Sequence, residues 1–279
     1  MKWLILIIPL LLLVSSTDMK PIKLPKELHE ISGWTFVNDT TLIAHNDGGN
    51  ESCIYVLSLD GKIRHKSYIK NTKNIDFEDI TYDNDKSVFV GDFGNNTNTR
   101  KDLAVYKLNL HEILYNDSCT AEAIRFTYPN QKEFPPKLAG KYFDCESMAY
   151  YNDSLYLFTK CRTEPFDGRC YVYALPTKAG NYTARKIQYF IIGNRDWFRD
   201  AATSCTIYNN KLVLLTYNRY IVYAFKPGEI YYDYHKTLLP ITQKEAIAVS
   251  KKGMVYIADE HNKLLGGGKM YKYPLAKKK

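Results

Sequence analysis

An all-β fold is predicted by three features of this sequence, and the third narrows it to one architecture. Its 24 Tyr, together with many Val, Ile and Phe, favour strands. No stretch carries a convincing amphipathic helical pattern; only His111 to Tyr115 has the makings of one short helical turn. One pattern recurs five times: an oxygen-bearing residue opens a strand, a second strand ends on a polar residue, and a third reads apolar-Tyr-apolar. Short strands repeating every roughly 40–70 residues are the pattern of a β-propeller. The prediction is a single propeller of five blades with four antiparallel strands each; six blades is the alternative.

The inner strands open at Ser32-Gly-Trp-Thr-Phe36, Glu78-Asp-Ile-Thr-Tyr82, Glu146-Ser-Met-Ala-Tyr150, Ser204-Cys-Thr-Ile-Tyr208 and Glu245-Ala-Ile-Ala-Val249. Second strands follow at Thr41 to Ala44, Ser87 to Val90, Leu155 to Phe158, Leu212 to Leu215 and Met254 to Ile257. Third strands follow at Ile54 to Leu57, Leu103 to Tyr106, Tyr171 to Ala174, Tyr220 to Tyr223 and Lys269 to Lys272. Turn residues separate them, among them Asn152-Asp153 and Asn209-Asn210. Ala123 to Phe126 and Lys186 to Tyr189 read as outer strands. The fifth copy runs out of chain before a fourth strand, and an unpaired edge invites aggregation. Ile22 to Leu24, bounded by prolines that suit an edge, is predicted to close that blade. A sixth blade would have to come from Tyr128 to Asp144, which carries no copy of the repeat.

Residues 1–16 read as a signal peptide: Lys2, an apolar run from Trp3 to Val14, then Ser15-Ser16. The run is too short for a span of about 20 residues. Residues 17–279 then form the propeller domain, with a secreted, periplasmic or cell-surface location expected and no transmembrane span; an uncleaved anchor is the alternative. The net charge of +8 is spread along the chain apart from Lys277-Lys278-Lys279, which argues against a nucleic-acid groove. Six Cys in an exported chain permit disulfides, with Cys161–Cys170 and Cys145–Cys205 as the expected pairs.

Inner strands line a propeller's channel, so the five opening residues form a ring: Ser32, Glu78, Glu146, Ser204 and Glu245. Three carboxylates held together repel unless a cation neutralises them. An oxygen-only set suits Ca²⁺, which takes six to eight oxygens. The plainer alternative is that these groups hydrogen-bond to backbone across the channel. A second ring, at the ends of the second strands, is expected to hold Asp47, Asp92, Lys160, Tyr217 and Asp259. Asp47, Asp92 and Asp259 are candidate water-activating acids, and His45 a candidate base. Asn46, Asn95, Arg100, Lys160 and Arg162 are candidates to hold a small anionic ligand. Trp197-Phe198 is expected to pack between blades.

The segments Ile75-Asp-Phe-Glu-Asp-Ile80, Val90-Gly-Asp-Phe-Gly-Asn-Asn96, Asp144-Cys-Glu-Ser-Met148 and Leu155-Tyr-Leu-Phe-Thr-Lys160 resemble those of a set of exported bacterial propeller proteins, across nearly the whole mature chain. That resemblance brings no activity with it. The ring order Ser, Glu, Glu, Ser, Glu is similar to that of calcium-activated nucleotidases (apyrases), which implies Ser32, Glu78, Glu146, Ser204 and Glu245 as Ca²⁺ ligands. The nucleotidase catalytic loops have no match here. A more distant likeness runs to gluconolactonase-like and phytase-like propellers. The expected function is a monomeric binding module with Ca²⁺ in its channel, taking a small anionic molecule, a glycan or a protein at the mouth. The alternatives are a metal-dependent hydrolase of a phosphoanhydride, phosphate ester or lactone, and a cell-surface accessory protein.

Overall fold

A computed structural model of the protein describes residues 20–275. The signal peptide expected at 1–16 and the Lys277–Lys279 tail lie outside the described residues.

Five antiparallel sheets of four strands form five blades, each entered from its inner strand. The inner strands are Ile31–Phe36, Phe77–Tyr82, Asp144–Tyr151, Ser204–Tyr208 and Lys244–Val249. Tyr128 to Asp144 supplies no blade; it is a connection with one 3₁₀ turn at Leu138–Gly140. The alternative of six blades is thereby excluded. Two short α-helices, Leu110–Tyr115 and Trp197–Asp200, and a second 3₁₀ turn at Lys26–Leu28 complete the secondary structure of the described residues. No helix among the described residues is long and apolar enough to cross a membrane.

The N-terminal segment closes the ring as expected. Ile22–Lys23 pairs antiparallel with Lys269–Pro274, matching Ile22 to Met270 and Lys23 to Lys269. Leu24 extends this seam by donating its N–H to the Gly268 carbonyl at 2.9 Å. Two further blades carry a fifth, parallel edge strand: Ser118–Cys119 on the first and Gly180–Thr183 on the second. The latter arrives from the third blade and ties it to the second.

Each blade buries both faces against its neighbours, which explains why the strands read as near-continuous apolar runs. Five apolar clusters fill the five interfaces. Trp34, Leu42 and Leu57 of the first blade meet Ala246, Tyr256 and Met270 of the fifth. Phe89 and Ile124 of the second meet Met148 and Tyr173 of the third. Burying one such side chain contributes about 1.5–3 kcal/mol. The six cysteines are buried free thiols, so neither expected disulfide forms; they pack as small apolar groups. The hairpins at Asn152-Asp153 and Asn209-Asn210 hold both residues at positive φ (46° and 56°, 48° and 57°), the conformation of a type I′ turn that matches strand twist.

Four inner strands share a device that shapes the channel mouth. The pairing register slips between Ile31 and Gly33, Phe77 and Asp79, Cys145 and Ser147, and Lys244 and Ala246. The residue left over is Ser32, Glu78, Glu146 or Glu245. A bulge frees that residue from the ladder and re-aims its side chain.

Candidate metal centre at the channel mouth

Four of the five predicted ring residues thus occupy one structural position, and the fifth does not. Ser204 pairs with Leu215, as Gly33 does with His45, Asp79 with Gly91 and Ser147 with Phe158. Ser204 therefore belongs one tier deeper, and Thr203, whose N–H also reaches the Leu215 carbonyl at 3.0 Å, takes the ring position. The hydroxyls are spent on the fold. Ser32 Oγ donates to the Glu78 carbonyl at 2.9 Å, Thr203 Oγ1 to the Lys244 carbonyl at 2.7 Å, and Ser204 Oγ to Asp79 Oδ1 at 3.1 Å.

The three ring glutamates have different surroundings. Lys160 Nζ lies 3.0 Å from Glu146 Oε2, and Arg162 Nη2 lies 3.0 Å from Glu146 Oε1. Arg162 also reaches Asp144 Oδ2 at 2.5 Å. Even so, burial pushes the Glu146 carboxyl up to about 7, against the pull of Lys160. Glu245 is pushed up to about 8 by burial, with Lys160 and the Tyr217 hydroxyl opposing. Lys160 is itself 2 % exposed; burial works against its charge, yet Glu146 holds its ammonium well above the ordinary value.

Glu78 has no cation. It is 6 % exposed, its carboxylate accepts no hydrogen bond from any described group, and burial followed by the charge of Glu146 drives it well above the usual carboxylate range. Asp47, Asp76 and Glu78 each place an oxygen within 4.8 Å of the others. Burial, then the neighbouring Asp47, raises Asp76 to about 6. Gly48 and Gly94 make room for this cluster. A Cβ on Gly94 would collide with Glu78 Oε1 and Asp76 Oδ2, and one on Gly48 would stand 2.6 Å from Asp76 Oδ1. Two of the three acids were read from the sequence, Asp47 as a water-activating acid and Glu78 as a metal ligand. Asp76 was not, although alternation puts it on the same face of the strand as Glu78. The signal was present two residues before the bulge, where the copies read Glu30, Asp76, Asp144, Ala201 and Gln243.

The second predicted ring is also displaced by one residue in two blades. Asp47, Lys160 and Tyr217 share their tier with Phe93 and Glu260, not with Asp92 and Asp259. Asp92 is fully buried and accepts from Arg100 Nη2 at 2.9 Å and from the Asp76 N–H at 3.0 Å. Asp259, also fully buried, accepts from Thr242 at 2.6 Å, Lys269 N–H at 2.7 Å and Tyr271 at 2.8 Å. Both carboxylates hold loops onto strands. Glu260, missed in the sequence, stands near Asp47 and Glu30 and is raised to about 7, chiefly by burial.

The remaining candidates are mostly structural. His45 is fully buried against Phe77, donates from Nδ1 to the Asn46 carbonyl at 3.0 Å, and leaves Nε2 unpartnered; burial lowers it to about 4. Asn46 Nδ2 donates to the Glu27 carbonyl at 2.7 Å. Asn95 is 2 % exposed and bridges to Phe143 and Arg100, while Arg100 Nη1 shapes the loop through the Gly94 carbonyl. Phe198 packs on Tyr217 with ring centres 5.0 Å apart, as expected; Trp197 beside it is half exposed.

Below the mouth the channel is plugged. Asp79 reaches from the second blade to accept from Met148 N–H of the third at 2.8 Å, and from Ser204 Oγ and Cys205 N–H of the fourth at 3.1 and 3.3 Å.

No protein-family model matches the chain, and no curated protein does. Solved structures do. A glutaminyl cyclase of Myxococcus xanthus superposes with a TM-score of 0.56 at 9% identity, over 91% of this chain and 94% of that one. The PQQ-bound aldose sugar dehydrogenase of Streptomyces coelicolor gives 0.50 at 9%, over 91% and 96%. A luciferin-regenerating enzyme gives 0.50 at 12%, over 91% and 95%. What they share with this chain is the propeller. At these identities the likeness is one of fold, and a fold hosts many chemistries.

Proposed function

We propose that the channel mouth binds Ca²⁺ through Asp47, Asp76 and Glu78 and that the protein is an exported binding module whose ligand meets that ion. The observation that carries this reading is Glu78: a carboxylate more than nine-tenths buried, without a donor, beside two further acids. Burying an ionised carboxylate without a partner is costly, and a cation removes the cost. The donor set is oxygen alone, and the glycine cradle leaves space between the acids, which suits a hard ion of flexible coordination. When bound, Ca²⁺ would supply positive charge to an acidic group of the ligand. Glu146 is outside this set because Lys160 and Arg162 already neutralise it.

Hydrolysis is the second reading, and the state of the acids speaks against it. Water activation needs a carboxylate free at the mouth. Asp92 and Asp259 are spent on hydrogen bonds to strands and loops, and Asp47 belongs to the cation cluster. What favours hydrolysis is Glu245, whose raised carboxyl stands beside Tyr217 at the mouth.

Thermal unfolding with Ca²⁺ and with chelator, repeated on Glu78→Gln, tests the assignment. Ion at 100 times its dissociation constant stabilises by about 2.7 kcal/mol. A Ca²⁺-dependent shift that Glu78→Gln abolishes supports the site. Equal unfolding in both conditions removes the metal and returns the mouth to a metal-free ligand site.

A further inference from the structure

The opposite end of the channel holds a cavity of about 210 Å³, enclosed by the C-terminal ends of all five inner strands. We propose that it binds a single neutral sugar ring. The site is independent of the cation cluster, because the Asp79 tier plugs the channel between the two ends.

Its shape follows from the tiers. Two residues beyond the plug, Thr35, Thr81, Thr206 and Ala248 line the cavity. Small residues there leave a hollow where larger ones would fill the channel. Three hydroxyls face this hollow. Thr81 Oγ1 accepts from the Tyr150 N–H at 3.1 Å and keeps its own proton to donate. The hydroxyls of Thr35 and Thr206, both partly exposed residues, make no hydrogen bond to any described group. Each therefore offers a donor and an acceptor.

The walls are aromatic and held in advance. Tyr82, Tyr150 and Tyr208 line the cavity, and their hydroxyls are tied outward: to the Asp85 carbonyl at 2.7 Å, to Asp153 Oδ1 at 2.8 Å and to the Lys251 carbonyl at 3.1 Å. Rings fixed at their tips lose little freedom when a ligand arrives. Apolar ring surface beside hydroxyl groups matches a sugar, which presents C–H faces and hydroxyl edges.

Charge and size narrow the class. No carboxylate lines the cavity, and its one charged group, Lys251, is 79 % exposed and lies 3.9 Å from Asp39. A cation would lose its hydration there with no counter-charge to meet, and an anion would meet only the solvent-screened, Asp39-paired charge of Lys251. The volume falls below the roughly 300 Å³ at which pockets for drug-sized molecules begin, so one ring fits.

Saturation-transfer NMR on the protein with methyl glucopyranoside, methyl galactopyranoside and methyl mannopyranoside is the test. At least one should receive saturation from the tyrosine rings. Thr206→Val, which keeps the side-chain shape and removes the hydroxyl, should weaken that sugar at least tenfold, and Thr206→Ser should restore it. Tyr208→Ala should also weaken it, while Glu78→Gln and chelator leave it unchanged; thermal unfolding checks that each variant is folded. The proposal fails if none of the three sugars receives saturation. It fails equally if binding survives Thr206→Val and Tyr208→Ala but is lost in Glu78→Gln, which would place the sugar at the mouth.

Discussion

Gly94 offers a probe of the proposed Ca²⁺ cluster that leaves every carboxylate in place. Its missing Cβ is the space into which Glu78 and Asp76 turn. Gly94→Ala should push both side chains aside and weaken Ca²⁺ at least tenfold by calorimetric titration, while the melting temperature in chelator changes little, since the displaced atoms are the free ends of side chains. His45 supplies a second single-residue prediction. Its imidazole is held at about 4, against about 6.5 in an unfolded chain, because burial disfavours its charge. The folded state therefore binds fewer protons, so stability is complete above pH 6.5 and falls as the pH drops toward 4. The loss attributable to this group is about 3 kcal/mol, since each tenfold difference in proton affinity between the folded and unfolded chain is worth about 1.4 kcal/mol. Denaturant unfolding in chelator at pH 7 and pH 4.5 should show a larger drop for the native chain than for His45→Leu. Neither result was legible beforehand: His45 and Asp47 lie two residues apart in one sequence run, and only the strand register sends one into the core and leaves the other at the mouth.

The strand is the scale at which the sequence was most informative and also where it misled. Periodic apolar runs and Asn-Asn or Asn-Asp turns placed the blades, and the shortage of a fourth strand in the last copy located its replacement at Ile22. What alternation could not show was the bulge. An added residue puts two consecutive side chains, such as Glu78 and Asp79, toward the channel, so a period of two no longer tells one tier from the next. Ser204 was taken for Thr203 because two hydroxyl residues stand side by side there, and Asp92 and Asp259 for Phe93 and Glu260 because the hairpins differ in length: Tyr82 pairs with Val88 and Val249 with Val255, but Tyr151 pairs with Ser154 and Tyr208 with Lys211, so a fixed count lands one residue short in the longer ones. The closing strand makes an element-level prediction. Leu24 is 4 % exposed and Leu28 is fully buried between the first and last blades. Leu24→Ala should cost about 2–5 kcal/mol, the usual range for a large-to-small change in a core. Truncation before Pro25 should cost at least as much, because it also opens the edge of Lys269–Pro274. Urea midpoints measure both.

At the scale of the whole ring, one carboxyl group ties three blades together across the channel. A five-bladed propeller has no central core; its inner strands meet across a channel, and polar side chains join them there. Ser32 links the first blade to the second, and Ser204 and Thr203 link the fourth to the fifth. Asp79 alone joins the second blade to both the third and the fourth. Its environment is demanding: fully buried, it is driven well above the usual carboxylate range by burial, with the N–H groups of Met148, Ile80 and Cys205 and the Ser204 hydroxyl pulling the other way. Asp79→Asn keeps the size but replaces one acceptor oxygen with an NH₂ group that faces donors. A buried donor set against donors costs about 1–3 kcal/mol for each pair left unsatisfied. Oδ2 serves the N–H groups of Met148 and Cys205, and Oδ1 serves the Ile80 N–H and the Ser204 hydroxyl, which can turn to accept, so the amide sets its NH₂ against one N–H or against two. The expected destabilisation is therefore about 1–6 kcal/mol, read as a lower urea midpoint. In Asp79→Ala, which removes both oxygens, amide hydrogen exchange should lose protection at Met148 and Cys205, on two different blades, together. If the midpoint is unchanged and those two amides stay protected, the blades are held by their apolar faces alone and Asp79 is not the bolt that its hydrogen bonds make it.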